Sequence, residues 1–297
     1  MSGSYMEFLK KIHREITPIS NQDSFLVFDR VKDIFDYPVH FHPEYEINFI
    51  EGGKGLRRIV GDSIEAVGDL ELVLVGPNLF HGWEQHECPR REMHEITIQF
   101  HSDLFDRTFL NRKIMKPIKD MFERSSHGIL FSETDVLGII PRIRKVSKLE
   151  GIDYFLELFS ILYDLANSRN QRLLSTTTIY MESFENSDKL KLLYEFVQEN
   201  YASKITLDEV SKLMNMSSVS FNRFIKKRTG KTFVEYVNDV RIGYASRWLI
   251  EKDLSISEIA FLCGFNSIAN FNRVFKKNKG RTPTKYRQDF SGIKRVL

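Results

Sequence analysis

The sequence predicts two domains of different class, an N-terminal β-barrel with trailing helices and a C-terminal all-α bundle of two helix-turn-helix units. Three observations carry that prediction. Short runs rich in Val, Ile, Phe and Leu alternate with glycine breaks across residues 24–101, a segment repeats itself at a shift of 50 residues in the last third, and charge is divided unevenly between the two regions. Residues 1–200 hold 24 Lys and Arg against 32 Asp and Glu, a net of −8, whereas residues 201–297 hold 19 against 8, a net of +11. A basic last third behind a mildly acidic front points to one part that meets polyanions and another that does not.

The length of 297 residues suits about two domains of roughly 150 residues. With 42% hydrophobic and 28% charged residues the composition is that of a globular protein rather than a disordered one. Apolar runs such as 72–76 fall far short of the roughly 18 residues that a membrane span needs. The first 16 residues carry Lys10, Lys11, His13 and Arg14 after a brief apolar stretch, which is unlike a secretory signal. Two cysteines, Cys88 and Cys263, stand far apart in unlike surroundings and fit a reducing compartment without a disulfide framework. A cytoplasmic protein with no membrane partner is expected.

Taken in chain order, the β-rich runs lie at 25–28, 45–50, 56–60, 70–75 and 95–100, broken at Gly52-Gly53, Gly61-Asp62 and Gly76-Pro77. Many short strands with regular turns make a barrel or sandwich. Residues 103–170 turn helical: Ile114, Ile118 and Phe122 follow one helical stripe, and Phe155, Leu158, Ile161, Leu162 and Leu165 make a dense apolar face within 151–167. That face either packs on its own barrel or forms a homodimer seam. Polar residues from 167 to 186, with Ser168, Asn170 and the Ser/Thr run 175–178, read as a linker.

The repeat then begins. Phe221-Asn222-Arg223 recurs as Phe271-Asn272-Arg273, Lys226-Lys227 as Lys276-Lys277, Gly230 as Gly280, Thr232 as Thr282 and Tyr236 as Tyr286. Just upstream the shift is 49, with Thr206 and Glu209 matching Ser255 and Glu258. A hydroxyl three residues ahead of a glutamate is the capping-box pattern of a helix start. First helices are predicted over 207–214 and 256–263, breaking at Asn215 and Gly264; second helices over 218–228 and 267–277, ended by Gly230 and Gly280. Helix, tight turn and helix with a basic end is the helix-turn-helix unit. One long helix over 232–251, with Phe233, Val237, Val240, Tyr244 and Trp248 along a stripe, joins the copies; Leu190, Leu193, Val197 and Tyr201 supply an amphipathic first helix. Twenty residues span about 30 Å, close to the roughly 34 Å of one duplex turn, so two recognition helices could enter successive major-groove segments.

The second helices divide into two faces. Phe221, Phe224 and Ile225, and in the other copy Phe271, Val274 and Phe275, fall inward with Val210 and Leu213 as partners of the first set. Val219, Asn222, Arg223 and Lys226, then Ala269, Asn272, Arg273 and Lys276, fall outward. Asn pairs with adenine and Arg with guanine in the major groove, and Lys suits phosphates.

On these residues the stretch 188–287 resembles the DNA-binding domain of the AraC/XylS family of bacterial transcription regulators. Gly230-Lys-Thr-Phe233, Tyr236, Arg241, Ala245, Ile256, Ala260, Cys263-Gly-Phe265 and Gly280-Arg-Thr-Pro283-Thr-Lys-Tyr286-Arg287 carry the likeness. The resemblance implies DNA contacts by Ser218, Val219, Asn222, Arg223, Lys226 and Lys227 in the first copy. In the second it implies contacts by Ser267, Ala269, Asn272, Arg273, Lys276 and Lys277. Val219 and Ala269 are less polar than usual base readers and fit a thymine methyl or no readout.

Within the β-rich region stand His40, His42 and Glu46, with Gly53 seven residues on, and later Pro77 and His81. The H-x-H-x3-E-x6-G pattern is similar to the first motif of cupin barrels, and 77–81 to a shortened second motif. In metal-binding cupins the matching residues hold a divalent ion, so His40, His42, Glu46 and His81 are the metal candidates here; alternating positions put both His40 and His42 on one strand face. The other expectation is a small organic effector in the barrel, lined by some of these residues with Trp83 and Glu95, and no firm cofactor.

The expected domains are a sensing and dimerisation barrel over 1–170, a linker over 171–186, a DNA-binding domain over 187–290 and a C-terminal tail over 291–297. The expected function is a non-enzymatic, nucleoid-associated bacterial regulator that binds double-stranded promoter DNA under control of a small-molecule effector. Homodimerisation and contact with RNA polymerase accompany it. Two alternatives stay open: a metal-dependent cupin enzyme with a tethered DNA-binding domain, and a constitutive regulator whose barrel only dimerises.

Overall fold

The computed structural model describes residues 13–15, 17, 19, 24–35, 37, 39–149, 151–176, 188–229, 231–289 and 295–296, with the backbone alone at 13, 14, 188–191, 194, 195, 227–229, 251, 289, 295 and 296. The chain divides into two compact units, Met1–Ile179 with Gly292–Leu297, and Tyr180–Ser291.

The first unit is built on two facing sheets. One runs β1 (His13–Arg14), β3 (His40–Phe41), β8 (His81–Glu84), β5 (Arg57–Val60), β6 (Ser63–Ala66). The other runs β11 (Gln171–Leu173), β10 (Ile129–Phe131), β7 (Leu70–Val75), β4 (Tyr45–Glu51), β9 (Met93–Phe100), β2 (Phe25–Lys32), β12 (Arg295–Val296). The pairings are antiparallel apart from β1 with β3. The central strands of the larger sheet are apolar almost throughout because both their faces are covered. Phe25, Val27, Ile47, Phe49, Leu72, Leu74, Ile96, Ile98 and Phe100 point one way, into a core shared with helices α2 (Lys116–Arg124), α3 (Glu133–Val146) and α4 (Gly151–Asn167). Ile50, Val73, Val75 and Met93 point the other way and meet Leu56, Val60 and Trp83 of the smaller sheet. A short helix, α1 (Arg107–Leu110), precedes these, capped by Asp106, whose side chain accepts from the Phe109 amide.

Three expectations change here. Ile114 is 73% exposed, because residues 113–115 form a 3-10 turn ahead of α2 and Met115 takes the buried position instead. Residues 171–173, expected in the linker, form β11 against β10, and Leu174 and Ser175 behind them are buried. The polar side chains there lie on an edge strand, where periodicity is no guide. The 177–187 part of the expected linker lies outside the described residues. In the expected tail, Arg295 and Val296 pair with Leu26 and Phe25.

The second unit is helical in its described residues: α5 (Asp188–Asn200), α6 (Leu207–Leu213), α7 (Ser218–Thr229), α8 (Phe233–Glu251), α9 (Ile256–Leu262), α10 (Ile268–Lys279) and α11 (Pro283–Asp289). Both expected capping boxes form, Thr206 with Glu209 and Ser255 with Glu258, and a third, Thr232 with Glu235, starts α8. Phe221, Ile225, Phe271 and Phe275 are buried, with Phe224 and Val274 half-buried. Leu213, expected inside, is 36% exposed, because α6 ends there and Met214, its C-cap, is buried in its place. Gly280 caps α10 in the left-handed conformation; Gly230 lies outside the described residues.

Two arginines tie the turns before the helix-turn-helix units to the rest. Arg241 donates from Nε to the Tyr201 carbonyl at 2.8 Å and from Nη2 to that of Ser203 at 2.9 Å. Arg287 donates to the carbonyls of Leu249 at 3.2 Å and Leu254 at 2.6 Å. Each guanidinium therefore closes the backbone just upstream of a capped first helix. The sharp turns inside the units use left-handed residues, Asn215 (φ 50) and Gly264 (φ 81). At Gly264 a Cβ would stand 2.6 Å from the Tyr201 carbonyl oxygen, so glycine is required for space as well as for conformation. Gly264→Ala is expected to lower thermal stability by about 1–3 kcal/mol from backbone strain alone and further through that contact. Asn215→Ala, where only the conformational part applies, should cost less. Equal melting points for the two variants would contradict this account.

Candidate nucleic-acid interface and candidate ligand site

In the second unit, α7 and α10 present matching outward faces. Val219 is 67% exposed, and Asn222, Arg223 and Lys226 are exposed beside it. Ala269, Asn272, Arg273, Lys276 and Lys277 are exposed on α10. The buried apolar residues of each helix fix this rotation, since Phe221 with Ile225 and Phe271 with Phe275 hold the opposite face. Of the expected contact residues, Ser267 is the N-cap of α10 and accepts from the Asn270 amide at 3.4 Å. In the first copy that task falls to Ser217, which accepts from the Ser220 amide at 3.2 Å, while the Ser218 hydroxyl donates to Asp208 Oδ1 at 2.9 Å. The side chain of Lys227 lies outside the described residues. Sequence reasoning missed Asn270, whose Oδ1 accepts from Arg273 Nη2 at 2.9 Å and so steers that guanidinium.

One half-buried carboxylate joins the two copies. Asp239, midway along α8, accepts from Lys231 at the start of that helix and from Asn278 Nδ2, near the end of α10, at 2.7 Å; buried Lys279 follows. Burial pushes the Asp239 carboxyl up, against the lowering effect of Lys231. Asp239→Ala should lower stability by about 1–3 kcal/mol, the range for a lost hydrogen bond to a charged group. Chemical denaturation followed by helical circular dichroism measures it; an unchanged midpoint would make the cluster incidental.

In the first unit, the strands' alternation turns an unusual number of polar groups between the two sheets. His40, His42, Glu46 and His81 are all buried, and one donor atom from each lies within 4.8 Å of every other. His40 and His81 are cross-strand partners of β3 and β8, and Glu46 projects from β4 on the same side. His42 Nε2 stands 3.1 Å from Glu46 Oε2, and His81 Nε2 3.6 Å from Glu46 Oε1. Burial opposes charge on Glu46, but His81 and His42 together outweigh it and hold the carboxyl well below the usual range. For His42, burial is again overcome, by Glu44 and Glu46, and its pKa is pushed up to about 10. Burial, with His81 adding to it, pushes His40 well down.

Trp83 adjoins the group, its ring 6.1 Å from that of His81, whereas Glu95 belongs elsewhere in the interior. Trp83 Nε1 donates to Glu71 Oε1 at 2.7 Å, and Glu71 is held by fully buried Arg58, which also reaches Glu65 at 2.6 Å. Glu95 pairs with Arg30 and Lys32, each at 2.6 Å, and Asn48 bridges it to Thr97. Of these two expected pocket residues, Trp83 stays in ring contact with His81, while Glu95 is engaged by Arg30 and Lys32. Residues that sequence reasoning missed are Glu15, Glu44 and Gln99 around the histidines and the Arg58–Glu71 pair. Gln99 stands opposite Glu46 across β9 and β4, a register that the sequence alone does not give.

One capped helix-turn-helix unit present in two copies, each with a basic outward face, defines a DNA-binding protein. Residues 210–289 match the family model described as a helix-turn-helix domain. The chain is 33% identical over 107 residues to the bifunctional transcriptional activator/DNA repair enzyme AdaA of Bacillus subtilis, across 36% of this chain; it spans about half, 51%, of that relative's length. It is 24% identical over 263 residues to the HTH-type transcriptional activator RhaS of Escherichia coli, across 87% of this chain and 90% of RhaS. Among solved structures, ToxT of Vibrio cholerae O395 aligns with a TM-score of 0.56 at 16% identity, over 91% of this chain and 99% of ToxT. Over most of its length the chain is thus similar to these transcription regulators, and it shares with ToxT the fold of an N-terminal β unit and a C-terminal helical unit.

Proposed function

We propose that the chain is a sequence-specific transcription regulator whose second unit reads promoter DNA through α7 and α10 and whose first unit binds a small effector. The single observation that carries this is the exposure of the same Asn-Arg-x-x-Lys set on both second helices, each with its aromatic residues buried behind it. In this reading Asn222, Arg223, Asn272 and Arg273 meet base edges, and Lys226, Lys276 and Lys277 meet phosphates. Ser218 and Ser267 stay at the helix starts, where backbone N–H groups favour a phosphate. The effector acts by shifting the population of DNA-competent states.

The names of AdaA and RhaS, both transcriptional activators, support activation, for which RNA polymerase is the further partner. A ToxT structure with an unsaturated fatty acid bound supports control by a small molecule. No enzymatic step is assigned to this chain, and its place is the bacterial cytoplasm at the nucleoid. The outer face of α4, where Ile152, Leu156 and Tyr163 are exposed at helical spacing while Tyr154, Leu158 and Ile161 are buried, supports a homodimer seam on the first unit.

Selection from a random-sequence duplex pool tests the DNA-reading part. The wild-type chain should return one defined sequence, and Arg223→Ala or Arg273→Ala should lose discrimination at one base pair by about 1–3 kcal/mol. Lys276→Ala should weaken all sequences alike and reduce the salt slope by about 0.9. An Arg223→Ala variant that weakened every sequence equally would instead make Arg223 a phosphate contact. A thermal-shift screen against sugars and small metabolites tests the sensor, and no shift with any class would favour a barrel that only dimerises.

A further inference from the structure

The two reading helices carry the same outward set, yet one position beside it differs. At the 50-residue shift Ser217, Asn222, Arg223 and Lys226 recur as Ser267, Asn272, Arg273 and Lys276, whereas Ser220 is replaced by Asn270. Both are the third residue of their helix, three places ahead of the arginine and so on its face. Both are exposed, as the arginines are. In α10, Asn270 Oδ1 accepts from Arg273 Nη2 at 2.9 Å, while the Asn270 backbone amide donates to Ser267 Oγ at 3.4 Å. In α7 the shorter Ser220 side chain turns to the helix start instead, where its hydroxyl oxygen accepts from the Ser217 hydroxyl at 3.0 Å. One arginine is thus braced by the residue a turn ahead of it, and in the other copy that residue is engaged elsewhere.

The brace has a defined chemistry. A guanidinium only donates, so the amide oxygen of Asn270 must face it, and the Nδ2 hydrogens point away. The bond uses one N–H of Arg273 and leaves the rest of the fork for acceptors such as O6 and N7 of guanine. An uncharged amide holds the side chain without cancelling its charge, whereas a carboxylate at that position would pair with the arginine and repel phosphates. A long side chain that is mobile before docking gives up its freedom on docking, and it can swing to a phosphate when the base beneath it is wrong. A braced one has surrendered part of that freedom beforehand and must break a bond to swing. We propose that Asn270 is a positioning residue that makes Arg273 a strict reader of guanine, and that α7, with Ser220 in the same place, reads more tolerantly. The operator is then unequal in its halves, with the base pair under Arg273 tightly specified and the one under Arg223 open to substitution. This inference rests on the reading of both arginines as base contacts.

The test takes the duplex that the full-length chain selects from a random-sequence pool and measures competition by its single-base-pair substitutions. Arg273→Ala and Arg223→Ala identify the base pair under each helix. The wild-type chain should discriminate more strongly at the Arg273 pair than at the Arg223 pair. Asn270→Ala should lower discrimination at the Arg273 pair alone by about 2–12-fold, the range for holding one long side chain in place. Ser220→Asn should raise discrimination at the Arg223 pair by a similar factor. In an Arg273→Ala background, Asn270→Ala should change nothing further, because it acts through that side chain. Far-ultraviolet circular dichroism checks that each variant is folded. A role confined to the start of α10 would weaken all duplexes alike and leave discrimination unmoved, and that result in folded Asn270→Ala overturns the proposal. So do equal discrimination at the two pairs in the wild-type chain, a Ser220→Asn variant that reads as wild type, and an Asn270→Ala effect that persists without Arg273, which would make Asn270 itself a base contact. Failure of the underlying reading looks different: a wild-type chain that selects no sequence, or an Arg273→Ala variant that weakens every duplex equally, defeats the base-reading assignment and this inference with it.

Discussion

Glu46 is the interaction on which the barrel unit turns. A carboxylate buried between two sheets is costly unless charged or hydrogen-bonding groups surround it. Its partners arrive from different strands: His42 just after β3, His81 on β8 and Gln99 on β9. Satisfying one group thus fixes how three strands sit against β4. A one-residue slip of β4 would send Glu46 and Asn48 into the apolar core under the helices and bring Ile47 and Phe49 into the polar interior. The Arg58–Glu71–Trp83 group and the Arg30–Lys32–Glu95 group impose the same demand on β7 and β9. Register here is written in charges as much as in apolar residues.

The second unit rests on a different device, reuse. The repeated capping boxes start α6 and α9 at equivalent places, and the paired aromatics rotate α7 and α10 alike. The repetition is incomplete where the copies must be joined. Arg241 and Arg287 perform the same closure on the backbone ahead of each copy, yet they are not related by the 50-residue shift. Asp239 recurs in sequence as Asp289, but the bond that Asp239 accepts from Asn278 joins the end of α10 to α8, a contact between the copies rather than within one.

This divides what was legible from what was not. Helix starts, the outward sets on α7 and α10 and the strands 45–51 and 70–75 follow from local pattern: hydroxyl–glutamate spacing, 3.6-residue periodicity, apolar runs between glycines. The convergence of His40, His42, Glu46 and His81 was legible only through a spaced motif. Of the two residues grouped with them by proximity, Trp83 adjoins His81 on the same face of β8, while Glu95 is taken up by Arg30 and Lys32 from the neighbouring strand. Ile114, β11 and Leu213 were misjudged at element ends, where a turn or an edge strand frees a residue from the period of the segment it adjoins. Outer partners such as Glu15, Glu44 and Gln99 carry no local signal, because their role exists only once strands are paired.

The cysteines, seen at first only as too few for a disulfide framework, acquire a meaning from where they lie. Both are buried, and burial pushes the Cys263 thiol up to about 12. Oxidants and electrophiles act on the thiolate, and they need access to it. The turn of the second helix-turn-helix therefore keeps its sulfur as packing, out of reach of peroxide and nitrosating agents. The reading heads are thereby kept chemically silent toward oxidants at that turn.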